Sequence, residues 1–81
     1  MNVYIKIFPI AGLCDETRKL ELTLEEGSMS EVLTNLREQF NVNPKIEELM
    51  FLHNGRALNR HKNTVFRNGD ELWLLPMLSG G

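Results

Sequence analysis

Gly80 and Gly81, the last two residues of the 81-residue chain, are the pair whose type and place could do chemistry. A carboxylate at a chain end is a poor electrophile at neutral pH. It becomes reactive once one of its oxygens has attacked the α-phosphate of ATP and turned it into an acyl adenylate. Two residues without Cβ atoms let the backbone pass a narrow channel and approach a reactive phosphate closely. The plainer alternative is a frayed end, common at chain termini. Other candidates are weaker. Cys14 is the only cysteine, with no His near it in a loop-like segment, which argues against a catalytic nucleophile. His53 and His61 are eight residues apart with no cysteine or second ligand pair to complete a zinc pattern. The chain has no glycine-rich phosphate loop, so ATP would have to be bound by a partner, and no bound cofactor or metal is expected. Glu25, Glu26, Glu47 and Glu48 fall at the edges of elements and read as solvated charges.

The composition frames these residues in one small domain. A chain of this length has room for one modest core, burying roughly 60 to 65 % of its unfolded surface. Its 42 % hydrophobic and 25 % charged residues are ordinary for a globular protein and fit neither disorder nor a membrane span. A net charge of −2 offers no general attraction for phosphate backbones, so neither nucleic acid nor membrane is expected as a partner. Arg56, Arg60, His61, Lys62 and Arg67 gather locally and read as a solvated loop. A single cysteine and no apparent signal peptide before Val3 give a cytoplasmic expectation.

The elements that must position the tail follow from periodicity. In VYIKIF, Val3, Ile5 and Ile7 alternate with Tyr4, Lys6 and Phe8, and in KLELTL, Leu20, Leu22 and Leu24 alternate with Lys19, Glu21 and Thr23. Joined by IAGLCDETR, which shows no clear period, they predict an antiparallel hairpin. The period then changes. Ser28 and Glu31 have capping-box spacing, in which each side chain satisfies the other's backbone N–H. Met29, Val32, Leu33, Leu36 and Phe40 follow at helical spacing and make one amphipathic stripe, stopped by Asn41, Asn43 and Pro44. LMFLH predicts a short strand, Asn54-Gly55 a two-residue hairpin turn, and Arg56-Ala57-Leu58 the return strand. Asn68-Gly69-Asp70 is a further tight turn leading into ELWLLPML.

One helix between two strand pairs must cover one face of a mixed sheet, because each pair alone leaves an apolar face open to water. The apolar run LWLL suits a central strand beside the first. The expected fold is an α+β β-grasp (ubiquitin-like), with a mixed sheet of about four to five strands and one main helix packed on one face. Its domain spans residues 1–76, followed by a flexible C-terminal tail, 77–81.

Alternation along the last strand puts Leu72 and Leu74 on one face and Trp73 and Leu75 on the other. If the helix covers the first pair, Trp73 and Leu75 are left on the open face, joined by Phe8 and one side of LMFLH; the opposite register would hide Trp73 and expose Leu72 and Leu74, leaving an open apolar face either way. An apolar patch with a Trp at its centre marks a docking surface. Pro76 cannot donate to a ladder, so pairing should stop there and release Met77, Leu78, Ser79, Gly80 and Gly81 as an extended arm.

GDELWLLPMLSGG resembles the carboxyl end of the ubiquitin-like sulfur carriers (MoaD/ThiS-like), especially the small subunit of molybdopterin synthase. The family pattern there is a Gly-Asp-Glu turn, an apolar strand, a proline and a terminal Gly-Gly. Element order and length fit across the chain, and fit the shorter thiamin-pathway sulfur carrier less well. PIAGLCDETR and Met77-Leu78-Ser79 depart from the family's usual segments. The resemblance implies that an E1-like adenylating enzyme activates Gly81 with its own ATP. The resulting thiocarboxylate then donates sulfur to a pterin precursor, with a molybdopterin synthase large subunit as partner. It also implies that Gly80 admits the tail to the partner's site; Trp73, Leu75, Met77, Leu78 and Phe8 are read, from the open face and the arm beyond it, as the partner-binding residues. The chain would be non-catalytic alone. Two readings compete: a ubiquitin-like modifier joined to lysines through Gly81, and an interaction module that never uses its tail chemically.

Overall fold

In the computed structural model of the chain, residues 1–11, 13–39, 49–58 and 64–76 are described. The order is β1 (Asn2–Ile7), β2 (Arg18–Thr23), α1 (Met29–Gln39), β3 (Met50–His53), β4 (Arg56–Ala57) and β5 (Glu71–Leu75). They form one five-stranded mixed sheet in the order β2-β1-β5-β3-β4. β1 and β5 are central and parallel, while β1 with β2, β5 with β3 and β3 with β4 are antiparallel. This is the β-grasp arrangement expected from the order and period of the segments. Of the expected helical stripe, Phe40 lies outside the described residues.

Alternation decides which side is buried. Val3, Ile5, Ile7, Leu22, Leu72, Leu74 and Phe51 point to one face and join Val32 and Leu36 of α1 in the core. Burying each such side chain contributes roughly 1.5 to 3 kcal/mol, so the sheet register is strongly set. Phe66 completes this core with no exposed surface. It comes from a stretch after β4 whose polar neighbours concealed it in the sequence.

The hairpin turn between β3 and β4 forms as its residues require: Asn54 has φ 49° and Gly55 φ 85°, and His53 pairs with Arg56 across them. The segment between β1 and β2 is better built than its lack of period suggested. Ile10 is buried, its N–H donates to Cys14 O (3.0 Å), and the Cys14 N–H returns to Ile10 O (3.0 Å). Cys14 is half-buried there, its Sγ donating weakly to Phe8 O at 3.6 Å.

The helix cap differs from the reciprocal box. The Glu31 N–H donates to Ser28 Oγ (3.1 Å) as expected, but the Glu31 carboxylate passes over Ser28. It accepts instead from the N–H groups of Glu25 (2.6 Å), Glu26 (2.9 Å) and Gly27 (3.0 Å). The Glu25 N–H most of all, then those of Glu26 and Gly27, hold the Glu31 carboxyl below the usual range against an opposing effect of burial. The chain can turn this tightly because Gly27 has φ 75° and no Cβ; an added Cβ would lie 2.6 Å from Phe66 O. The Phe66 N–H donates to Gly27 O at 2.7 Å, so the entry to α1 and the core phenylalanine share one contact.

Candidate functional site: the open sheet face and the base of the tail

β5 carries the chain to the tail. It is gripped on both sides: Ile5 lies opposite Leu72 and Ile7 opposite Leu74 in the parallel pair, while Phe51 opposes Leu74 on the antiparallel side. Ladder pairing ends at Leu75, and Pro76 is exposed and outside the strand, as its missing N–H demands. Of the sequence-derived site residues, Met77, Leu78, Gly80 and Gly81 lie outside the described residues.

The start of β5 is clasped by polar contacts. Asp70 N–H donates to Arg67 O (3.0 Å), closing a turn in which Gly69 has φ 90°. The Asp70 carboxylate accepts from Arg67 N–H (2.9 Å), His53 Nε2 (2.8 Å) and Asn54 Nδ2 (3.1 Å). An ionised carboxylate only accepts, so Nε2 of His53 carries the hydrogen. Asn54 Oδ1 in turn accepts from Glu71 N–H at 2.8 Å. Burial works to raise the Asp70 carboxyl, but the Arg67 N–H, His53 and Asn54 outweigh it and bring it down to about 2. The Asn68 side chain accepts from Asn2 N–H (2.7 Å) and Gly69 N–H donates to Asn2 O (2.8 Å), tying the same turn to β1. The Gly-Asp-Glu turn is thus the tied base from which β5 runs. In the sequence His53 suggested only a missing metal pattern; its partner, 17 residues away, becomes visible once β3 lies beside β5.

Trp73 and Leu75 face away from the helix, because Leu72 and Leu74 are the pair buried in the core. Both are half-buried rather than exposed. Part of the cover on Trp73 is its own neighbour: the Phe8 ring meets it edge-on at 5.4 Å between centroids. Lys6 Nζ lies 5.0 Å from the Trp73 centroid and 4.9 Å from that of Phe8, within cation–π range. The register puts Leu52 opposite Trp73 and Met50 opposite Leu75, so one side of LMFLH joins the patch. Phe8, Trp73 and Leu75 are therefore brought together, whereas the lysine beside them was missed. The alternation of β1 already put Lys6 on this face, but its meeting with Trp73 depends on the parallel pairing.

Among the described residues, no group of three or more His, Cys, Asp or Glu side chains could hold a metal ion, and no helix is long and apolar enough to cross a membrane.

A chain from a solved structure of the protein–protein complex of subunits 1 and 2 of molybdopterin-converting factor from Helicobacter pylori superposes with TM-score 0.68 at 23 % identity, covering all of both chains. The solution structure of the Haloferax volcanii HVO 2177 protein superposes with TM-score 0.64 at 18 % identity, over all of this chain and 87 % of that one. Both show a shared fold. In sequence, the chain is 30 % identical over 83 residues to a Drosophila yakuba protein named molybdopterin synthase sulfur carrier subunit, covering 100 % of this chain and 92 % of the relative. The ThiS family pattern matches residues 5–81, which takes in the second half of β1, the clasped turn, β5 and the last residues of the chain, and the chain belongs to that family.

Proposed function

We propose that this protein is a sulfur carrier for molybdopterin synthesis and that Gly81 is its working residue. An oxygen of the Gly81 carboxylate attacks the α-phosphorus of ATP in an E1-like adenylating partner and pyrophosphate leaves. A hydrosulfide-level nucleophile from the sulfur donor then displaces AMP, leaving a thiocarboxylate. With the carrier docked on a molybdopterin synthase large subunit, the thiocarboxylate sulfur attacks a carbon of a pterin precursor, and the bond from that carbon to an oxygen leaving group breaks. Water cleaves the resulting acyl–sulfur bond and restores the carboxylate.

The observation that carries this reading is the family match running through residue 81, together with a relative of nearly equal length that is named a molybdopterin synthase sulfur carrier subunit. The geometry agrees with it. The doubly paired β5 ends at Leu75, just before Pro76, so the residues beyond can enter a partner's channel without unfolding the core. Trp73, Leu75 and Phe8 offer the apolar part of the docking face. Gly80, beside the reacting residue, leaves the channel unobstructed by a side chain.

The test is reconstitution with an adenylating enzyme, a sulfur donor and a molybdopterin synthase large subunit. The full chain should support formation of the dithiolene pterin, and a chain lacking Gly81 should not, while unfolding with the same midpoint. Equal product from both chains would refute the role of Gly81.

A further inference from the structure

The outer face of the sheet is not uniformly apolar. Register aligns Lys19 of β2, Lys6 of β1, Trp73 of β5 and Leu52 of β3 as successive neighbours in one row across the strands. Two like charges directly opposite one another in an antiparallel pair are unfavourable unless something neutralises them. Among the described residues neither ammonium has an ion pair with another, and Lys6 makes two cation–π contacts instead, with the Phe8 and Trp73 rings. Lys6 and Lys19 line a shallow groove with Trp73, Tyr4, Glu21 and Glu71. The two glutamates flank Tyr4 one row further along the strands, about 6.6 Å away by strand rise, and close that side to anions.

We infer that the Lys19–Lys6–Trp73–Leu52 row docks a partner-protein segment that is acidic at one end and apolar at the other, with carboxylates over the two lysines and aliphatic side chains over Trp73 and Leu52. Four strands spaced about 4.8 Å apart give a row of about 14 Å, which four extended residues span. Charge complementarity selects the occupant. A basic segment would meet the lysine pair, and a wholly apolar one would bury two ammonium groups without bringing a carboxylate to them. The lysine pair also sets direction, because only one orientation puts carboxylates over β1 and β2. The inference deepens the carrier reading by giving the chemistry of the surface a partner must present, but its test does not depend on tail chemistry.

The single tryptophan is its own reporter. Trp73 fluorescence would be titrated at low salt with two capped tetrapeptides, Glu-Glu-Leu-Leu and Lys-Lys-Leu-Leu, using the wild-type chain and a Lys6→Gln/Lys19→Gln double variant. Unchanged circular dichroism and thermal midpoint would establish that the variant is folded. The acidic peptide should bind wild type at least tenfold more tightly than the basic one, lose several-fold in affinity between 20 and 200 mM salt (about a threefold change in Debye length), and lose its advantage in the double variant. Equal binding of the two peptides, no response to either, or an acidic preference that survives the double substitution would each overturn the assignment. Sulfur loading of Gly81, read separately by mass, would stand or fall on its own.

Discussion

Replacing Asp70 by Asn keeps the shape of the clasp and removes its charge. The carboxylate accepts three hydrogen bonds and its side chain is 16 % exposed, beside a His53 that is 21 % exposed. Its pKa falls from 3.8 to about 2, a difference of about 2.4 kcal/mol at 1.36 kcal/mol per unit. Solvent reaches this rim position, and screening reduces the expected contribution to about 1 to 2 kcal/mol. Because the folded-state pKa is the lower one, the stabilisation is fully present above the unfolded value and is lost as pH falls from about 5 towards 2. Urea unfolding of wild type and Asp70→Asn at closely spaced pH values reads this directly. At pH 7 the variant should be less stable by about 1 to 2 kcal/mol, and the gap should close by about pH 2. Parallel stability curves across that range would refute the placement of the charge in the fold, whatever the absolute loss.

Three further substitutions test other parts of the structure. Gly27→Ala combines a positive φ with a Cβ 2.6 Å from the Phe66 carbonyl oxygen, so chemical denaturation should show a loss of about 2 to 4 kcal/mol. A loss under about 0.5 kcal/mol would contradict the tight entry to α1. Phe66→Ala, at a fully buried ring packed against His53, should cost about 3 to 5 kcal/mol by the same measurement, and a neutral effect would remove Phe66 from the core. Trp73→Ala should weaken binding to the adenylating enzyme or the large subunit by about 2 kcal/mol or more in calorimetry. A binding loss below about 0.5 kcal/mol would exclude the open face as the docking surface.

The fold could be read from the sequence wherever period and turn chemistry agreed. Val3, Ile5 and Ile7 alternating in β1, the Asn54-Gly55 turn and the three-residue spacing of Ser28 and Glu31 each specify local structure within a few residues. That Leu72 and Leu74 share one face was also legible, whereas which face is core is decided only when the helix is in place. What escaped depends on residues far apart in the chain. Phe66 sits in a polar stretch, and no period marks it as core. Ile10 is held by an exchange of backbone bonds with Cys14, which side-chain pattern does not reveal. The Glu31 carboxylate bypasses its expected capping partner and takes the three N–H groups that the Gly27 turn presents. The Lys6–Lys19 pairing and the His53–Asp70 contact exist only once the strands are ordered and in register, so single-strand periodicity could place Lys6 on a face but not beside Trp73.

The most direct measurement of the central claim is the intact mass of the purified chain after incubation with ATP, a sulfur donor and lysate from its own source, with an established carrier protein as the positive control. For a sulfur carrier, a fraction of the chain gains the mass of one sulfur less one oxygen, and the gain is absent from a chain lacking Gly81. A ladder of conjugates to other proteins, or an unchanged mass while the control reacts, would contradict it.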